Sequence, residues 1–151
     1  MPPRKPRPRV SLEDFLHGLV AVLSLKGRPR FRAEKGVLDA ALAGTVTDCA
    51  KALHRVRVDL DFRLRPDSLS AKESQLRRAL MEMEDEGILR SPSEGENEYE
   101  ILLGQREAIR ILDVLDLPIP LFERAANAFR RRHEMAKLRS LVGLHSRRST
   151  P

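Results

Sequence analysis

The side chains best suited to chemistry in this sequence lie within residues 72–78: Lys72, Ser74, Gln75, Arg77 and Arg78. Arginine presents a planar fork of donors that fits a guanine edge or a phosphate, and Ser and Gln can hydrogen-bond to bases. On a helix, 100° per residue places Ser74, Arg77 and Arg78 opposite the apolar positions. The pattern predicts a surface that binds nucleic acid. The alternative is an ordinary solvated face in which Arg78 pairs with Glu82.

A second cationic run alternates along the chain at Arg28, Arg30 and Arg32. If these residues form a strand, alternation places the three guanidinium groups on one side, where they could follow a phosphate backbone. Pro29 restricts such a strand to the edge of a sheet. Charged edge strands also occur simply to prevent aggregation, so the sequence leaves both interpretations open.

Patterns for catalysis are weak. Asp59 and Asp61 would share one face of a strand and could hold a divalent metal, but the flanking arginines favour ion pairing instead. The four histidines lack ligand spacing, and a single cysteine, Cys49, cannot form an internal disulfide. The sequence contains no phosphate-binding glycine loop and no nucleophile elbow. We therefore expect no enzyme activity, no cofactor and no metal site.

Among the elements that must position these residues, the clearest is a strand pattern at residues 55–65. Charged and hydrophobic side chains alternate there, with the apolar ones at Val56, Val58, Leu60, Phe62 and Leu64. A period of two predicts a strand with one buried face. Such a strand needs a partner, which is either a strand of the same chain or a second copy across a two-fold axis.

Most of the remaining sequence has helical periodicity. Ser11 is a predicted N-cap for a first helix. Residues 33–53 predict helix, which Gly44 and the following threonines split into two. A capping box at Ser70 and Glu73 predicts a helix over residues 71–86. Two hairpin strands then follow at about 88–91 and 98–103, and the chain ends in helices over residues 105–115 and 121–142.

The order of helix, short strand, helical segment, capped helix and hairpin resembles a winged helix-turn-helix domain over about residues 11–103. The resemblance rests mainly on residues 70–89, Ser-Ala-Lys-Glu-Ser-Gln-Leu-Arg-Arg-Ala-Leu-Met-Glu-Met-Glu-Asp-Glu-Gly-Ile-Leu, which look like a recognition helix and its run into a wing. It implies that the helix at 71–86 enters the DNA major groove. The strand at 55–65 departs from that pattern, because an ordinary winged helix does not place this additional strand before its recognition helix.

Charge divides the chain sharply. Residues 1–81 carry 17 basic and 9 acidic side chains, whereas residues 82–100 carry 1 and 8. Phosphates would repel a hairpin tip that contains Glu94, Glu96 and Glu98, so this hairpin is the candidate surface for a basic protein partner. Phe122 and Phe129 in the last helix form an apolar stripe that packs either on its own domain or against a second copy.

These patterns predict a helix-rich α+β protein. It comprises a disordered basic arm at 1–10, a winged-helix-like domain at 11–104, a helical extension at 105–145 and a disordered tail at 146–151. The small antiparallel sheet has strands at about 28–32, 55–65, 88–91 and 98–103. No apolar run approaches the roughly 20 residues that span a bilayer, so we expect a cytoplasmic protein without membrane contact.

Two functions fit this sequence. The first is non-catalytic binding of duplex DNA, as a transcriptional regulator that forms a homodimer. The second is a protein-interaction adaptor or assembly subunit that uses the acidic hairpin and the strand at 55–65. Charge and motif content favour the first, because the arginine-rich helix precedes the hairpin in the order that the resemblance implies.

Overall fold

A computed structural model describes residues 9–27, 29–32, 37–55, 58–60, 71–95 and 97–148, except for the side chains of residues 39, 51, 71–74, 136 and 140–148. The described residues form five helices and five short strands. In chain order they are β1 (Arg9–Val10), α1 (Leu12–Leu25), β2 (Arg30–Arg32), α2 (Val37–Arg55), β3 (Asp59–Leu60), α3 (Ala71–Asp85), β4 (Leu89–Arg90), β5 (Glu98–Ile101), α4 (Gln105–Leu115) and α5 (Ile119–Arg148).

The fold is helix-rich α+β with a small antiparallel sheet and C-terminal helices, which confirms this part of the prediction. Three strands form the sheet in the order β2-β5-β4, so β5 is central and both neighbours run antiparallel to it. β2 comes from the segment between α1 and α2, whereas β4 and β5 form the hairpin after α3. The three strands lie within the ranges predicted at 28–32, 88–91 and 98–103. Arg28 lies outside the described residues.

The strand predicted over residues 55–65 is wrong in its N-terminal bound and in its place in the antiparallel sheet. Arg55 is the last residue of α2, and only Asp59–Leu60 form a strand among the described residues of this segment. That strand pairs in parallel with β1, with Arg9 opposite Asp59, and it does not join the antiparallel sheet. The alternation does mark a buried side, because Val58 is 4% exposed. Residues 56, 57 and 61–65 lie outside the described part of the chain.

The partner strand β1 was missed because it follows a proline-rich basic segment. Residues 1–10 predict a disordered arm, yet Arg9 and Val10 form β1, and Val10 is 1% exposed in the core. A single apolar residue at the end of a charged segment is a weak sequence signal, and its burial depends on the distant Leu60 with which it pairs. Residues 1–8 are not among the described residues.

Helix α1 lies at the centre of the core. The Ser11 hydroxyl accepts a hydrogen bond from the Asp14 N–H at 3.1 Å, which confirms the predicted N-cap. The helix packs against α3, α4 and α5, and most of its residues are buried on all sides. A Cβ added at Gly18 would lie 2.2 Å from Cε1 of Phe122 in α5. Glycine at position 18 therefore permits the close approach of α1 and α5.

Helix α2 is continuous, which corrects the predicted break at Gly44. Thr45 and Thr47 do not cap a new helix: their hydroxyls donate to the carbonyls of Ala41 and Ala43, four residues back, at 2.6 and 3.0 Å. Gly44 has a packing role instead. A Cβ there would lie 2.8 Å from Cδ of Arg132, so the arginine side chain of α5 crosses α2 at this glycine.

Helix α5 is longer than predicted and packs along α2. It begins at Ile119, with Pro120 in its first turn, where proline needs no hydrogen-bond donor. Its backbone is helical to Arg148, so the disordered tail predicted over residues 146–151 is wrong for residues 146–148. Residues 149–151 lie outside the described part. Phe122 and Phe129 are 0% and 3% exposed. They pack in the core of their own chain, which is the first of the two alternatives that the sequence left open.

Candidate nucleic-acid interface

Three of the predicted contact residues are exposed on α3. Leu76 is 5% exposed and Ala79 1%, and these residues turn one side of the helix towards the core. Gln75, Arg77 and Arg78 are exposed. Arg77 and Arg78 lie opposite the buried residues, and Gln75 lies at the edge of that surface. Met81 continues this surface and is 56% exposed. Lys72 and Ser74 belong to the first turn of α3, but their side chains lie outside the described part of the structure.

The charge of α3 reverses along its length. Glu82 and Asp85 are exposed in its second half, and Glu86 follows the helix. The imidazole of His17 in α1 connects to this end: Nδ1 donates to the Glu13 carbonyl at 2.6 Å, and Nε2 lies 3.2 Å from Oε2 of Glu86. The acidic end of α3 is therefore joined to α1, and only the N-terminal half of the helix presents a cationic surface.

The arginines of β2 lie opposite acidic residues of β5 in the register of the sheet. Arg30 lies opposite Glu100 of β5, and Arg32 lies opposite Glu98. On the other side of β5, Arg90 of β4 forms an ion pair with Glu100. Directly opposed residues on one face of an antiparallel sheet have close side chains, so these pairs form a charge ladder across the sheet. The ladder reduces the positive potential that Arg30 and Arg32 could offer to phosphate.

The hairpin between β4 and β5 carries an acidic tip. Glu94 and Glu98 are exposed, and Gly95 adopts a positive φ of 88° in the turn. Glycine suits this left-handed conformation because it has no side chain to clash. Glu96 lies outside the described residues. Within the described part, the hairpin presents carboxylates and no cation between Ser91 and Glu98.

A pair of aromatic rings links the sheet to the region of α3. Phe31 of β2 stacks on Tyr99 of β5 with ring centroids 5.4 Å apart. Burial raises the pKa of the Tyr99 hydroxyl, the charge of Glu84 raises it further, and the charge of Arg77 opposes the shift. Tyr99 is thus close enough to α3 for the charges of Glu84 and Arg77 to affect its pKa.

The clearest charged contact in the described chain was missed by sequence reasoning. Arg132 of α5 donates from Nε to Oδ2 of Asp48 at 2.9 Å and from Nη2 to Oδ1 at 2.8 Å. This hydrogen bonding is the main reason that the pKa of Asp48 is lowered. The two residues are far apart in sequence, and no local pattern connects them. Arg132 therefore belongs to the packing of α5 on α2 rather than to an open cationic surface.

Comparison with known proteins identifies no family for this chain. The chain matches no protein-family model, and no curated protein or solved structure is detectably similar to it. Within the described residues, no three His, Cys, Asp or Glu side chains are grouped to hold a metal ion. No helix in that part of the chain combines the length and apolar character needed to cross a membrane.

Proposed function

We propose that this chain is a non-catalytic protein that binds duplex DNA through the N-terminal half of α3. The observation that carries the proposal is the exposure of Gln75, Arg77 and Arg78 on a helix that directly precedes an antiparallel hairpin. An α-helix fits the major groove of B-DNA, where Arg reads guanine and Gln reads adenine. The strand order β2-β5-β4 is consistent with the winged-helix resemblance, in which this helix is the reading element.

The contact surface in this proposal is narrower than the sequence suggests. The glutamates of β5 oppose Arg30 and Arg32, and the hairpin tip is acidic, so the sheet is turned away from the phosphates. One short helix face gives a limited footprint. A homodimer with two α3 helices would double it, as expected for a cytoplasmic transcriptional regulator that binds paired half-sites.

The decisive experiment compares two double variants that remove the same charge. Arg77→Ala with Arg78→Ala removes the candidate contacts, whereas Arg106→Ala with Arg110→Ala removes two exposed arginines from α4. Affinity for a set of mixed-sequence duplexes is measured by fluorescence anisotropy over a range of salt concentrations. We expect the α3 variant to bind at least about tenfold more weakly, because each contact contributes about 1–3 kcal/mol.

The salt dependence adds a second readout. Binding that relies on phosphate contacts weakens steeply as salt rises, by a slope of about 0.9 for each contact. The α3 variant should lose up to about two such contacts, and the α4 control should retain the slope of the original protein. Equal losses in the two variants, or no salt-dependent binding by the unaltered protein, would show that α3 is not the DNA contact.

A specific observation supports the second candidate, a protein-interaction adaptor. Glu98 and Glu100 lie opposite the arginines of β2, Arg90 pairs with Glu100, and Glu94 and Glu98 are exposed at the hairpin. Reversal of Glu94, Glu96 and Glu98 to Lys separates the two functions. A DNA-binding chain should then bind duplex more tightly, whereas an assembly subunit should lose its association state in sedimentation velocity and gain nothing towards DNA.

A further inference from the structure

The edge strand β2 is attached to α5 by a histidine. The backbone N–H of Arg32 donates to Nε2 of His133 at 3.0 Å. The imidazole is partly buried and stacks on Phe129, with ring centroids 5.5 Å apart and planes inclined by 29°. The N–H of an edge strand usually faces water. In β2 the Arg32 N–H is instead paired with a side chain of α5.

The pairing pattern places this contact on the outer edge of the sheet. The N–H of Ile101 donates to the carbonyl of Pro29 at 2.6 Å, so residue 29 turns its polar group towards β5. Backbone groups of an antiparallel strand point alternately towards and away from a neighbour. Arg32 therefore directs its N–H away from β5, and His133 occupies the side of β2 that β5 leaves open.

The acceptor role requires a particular protonation state. Nε2 accepts a hydrogen bond only when it carries no proton, so His133 is neutral with its proton on Nδ1. Protonation at Nε2 would set two donors, the imidazolium and the Arg32 N–H, against each other. The original hydrogen bond would be lost, and a charged ring would remain in a partly buried position.

The surroundings of His133 favour the neutral ring. Burial lowers its pKa; the charges of Lys137 and Arg32 lower it further, and those of Glu134 and Glu98 oppose them. These groups come from α5, β2 and β5, the elements around the ring. The contact is therefore stable near neutral pH and weakens as acid titrates the imidazole.

A series of rings continues from this contact into the sheet. Phe129 meets Phe31 of β2 edge to face, with centroids 6.1 Å apart and an angle of 87°. Phe31 in turn stacks on Tyr99 of β5. The order His133, Phe129, Phe31, Tyr99 runs from α5 through β2 to the central strand, so the position of α5 and the packing of the sheet are coupled.

We propose that His133 is a proton-operated latch: the neutral ring holds the outer edge of β2 to α5, and protonation releases the Arg32 N–H and loosens the ring series. The proposal stands on these contacts and does not depend on DNA binding. Its consequence is a local opening of the β2 edge in mild acid while the rest of the core remains folded.

Amide hydrogen exchange at Arg32 tests the latch. Below the ordinary imidazole pKa of about 6.5, opening should become more frequent as pH falls, by up to about tenfold for each pH unit, because the open state binds a proton more readily than the closed state. Exchange is followed by NMR from about pH 7.5 to about pH 5 and corrected for the intrinsic rate.

In His133→Gln, whose amide oxygen can accept a hydrogen bond without titrating, the protection of the Arg32 amide should no longer depend on pH. His54→Gln changes an exposed histidine of α2 and is the matched control.

Nitrogen-15 spectra of the unaltered protein give an independent result if the variant does not fold. His133 should show the Nδ1–H tautomer near neutral pH, and the Arg32 amide shift should titrate with the midpoint of the His133 ring. An Nε2–H tautomer, an Arg32 amide that does not follow the ring, or the same pH dependence in His133→Gln would overturn the latch.

Discussion

Arg132 of α5 and Asp48 of α2 form a two-pronged contact, with hydrogen bonds of 2.9 and 2.8 Å between the guanidinium and both carboxylate oxygens. Arginine suits this role because its fork matches the geometry of a carboxylate. The side chains are 41% and 29% exposed, so solvent screens their attraction. The geometry of the contact therefore sets the register of α2 on α5 more than it adds stability.

Asp48 should contribute to the acid sensitivity of the fold. The Arg132 hydrogen bond lowers the pKa of this carboxyl below its ordinary value of 3.8. Around these pH values the folded chain thus binds fewer protons than the unfolded chain. The contribution of Asp48 to the free energy of unfolding is present above pH 3.8 and is lost as pH falls through the folded-state pKa. Urea unfolding gives the free energy of unfolding at about pH 7 and at about pH 3. Between these two pH values this free energy should fall less for Asp48→Asn than for the unaltered protein. Asp113→Asn, which alters an exposed carboxyl of α4, is the control and should retain the original loss.

Gly44 and Arg132 should be energetically coupled. Alanine in the interior of a helix is favoured over glycine by about 0.5–1 kcal/mol. A Cβ at position 44 would lie 2.8 Å from Cδ of Arg132, whose guanidinium is held by Asp48. Gly44→Ala should therefore gain little or lose stability in the original chain. In an Arg132→Ala background the obstruction is absent, and the same change should stabilise by about 0.5–1 kcal/mol.

A double-mutant cycle on the free energy of unfolding measures this coupling. Gly44→Ala should be more favourable in the Arg132→Ala background than in the original chain. Equal effects in both backgrounds would mean that the arginine moves aside without cost, and that Gly44 has no packing role in the contact of α2 with α5.

The sequence alone was enough to predict the structural features that depend on residues close together in the chain. The cap at Ser11 and the helix at 71–85 follow from side chains within a few positions of one another, and both appear as predicted. Helical periodicity also placed Arg77 and Arg78 on one exposed face. Such features need no knowledge of distant contacts, because the period of the helix alone separates a buried side from a solvated side.

Features that depend on contacts between residues far apart in the sequence could not be predicted from local patterns. The glycine at 44 predicts a helix break until Arg132 is known to cross it. Arg30 and Arg32 form a cationic row in the sequence, but their charges are opposed only once the register with β5 is known. His133 has no ligand pattern, and its partner is a backbone N–H that no sequence motif marks.

Cys49 offers a direct measure of how often α2 separates from the core. It is 0% exposed, and burial raises the pKa of its thiol, with a further contribution from Asp48. The thiolate is the reactive form, so both accessibility and ionisation oppose labelling in the folded chain. Reaction with a disulfide reagent near neutral pH should be at least about a hundredfold slower than in urea, because a folded domain populates open states rarely.

An exposed neighbour supplies the control for this measurement. Ala50 follows Cys49 on α2 and is exposed. In the double variant Cys49→Ala with Ala50→Cys, the thiol moves by one residue from the core to the surface, and folded-state labelling should approach the rate of the unfolded chain. Similar rates for Cys49 and the thiol at position 50 would show that α2 does not remain packed on α5. Because Arg132 and Gly44 both act at that contact, Arg132→Ala should accelerate labelling of Cys49 if this pair maintains the packing.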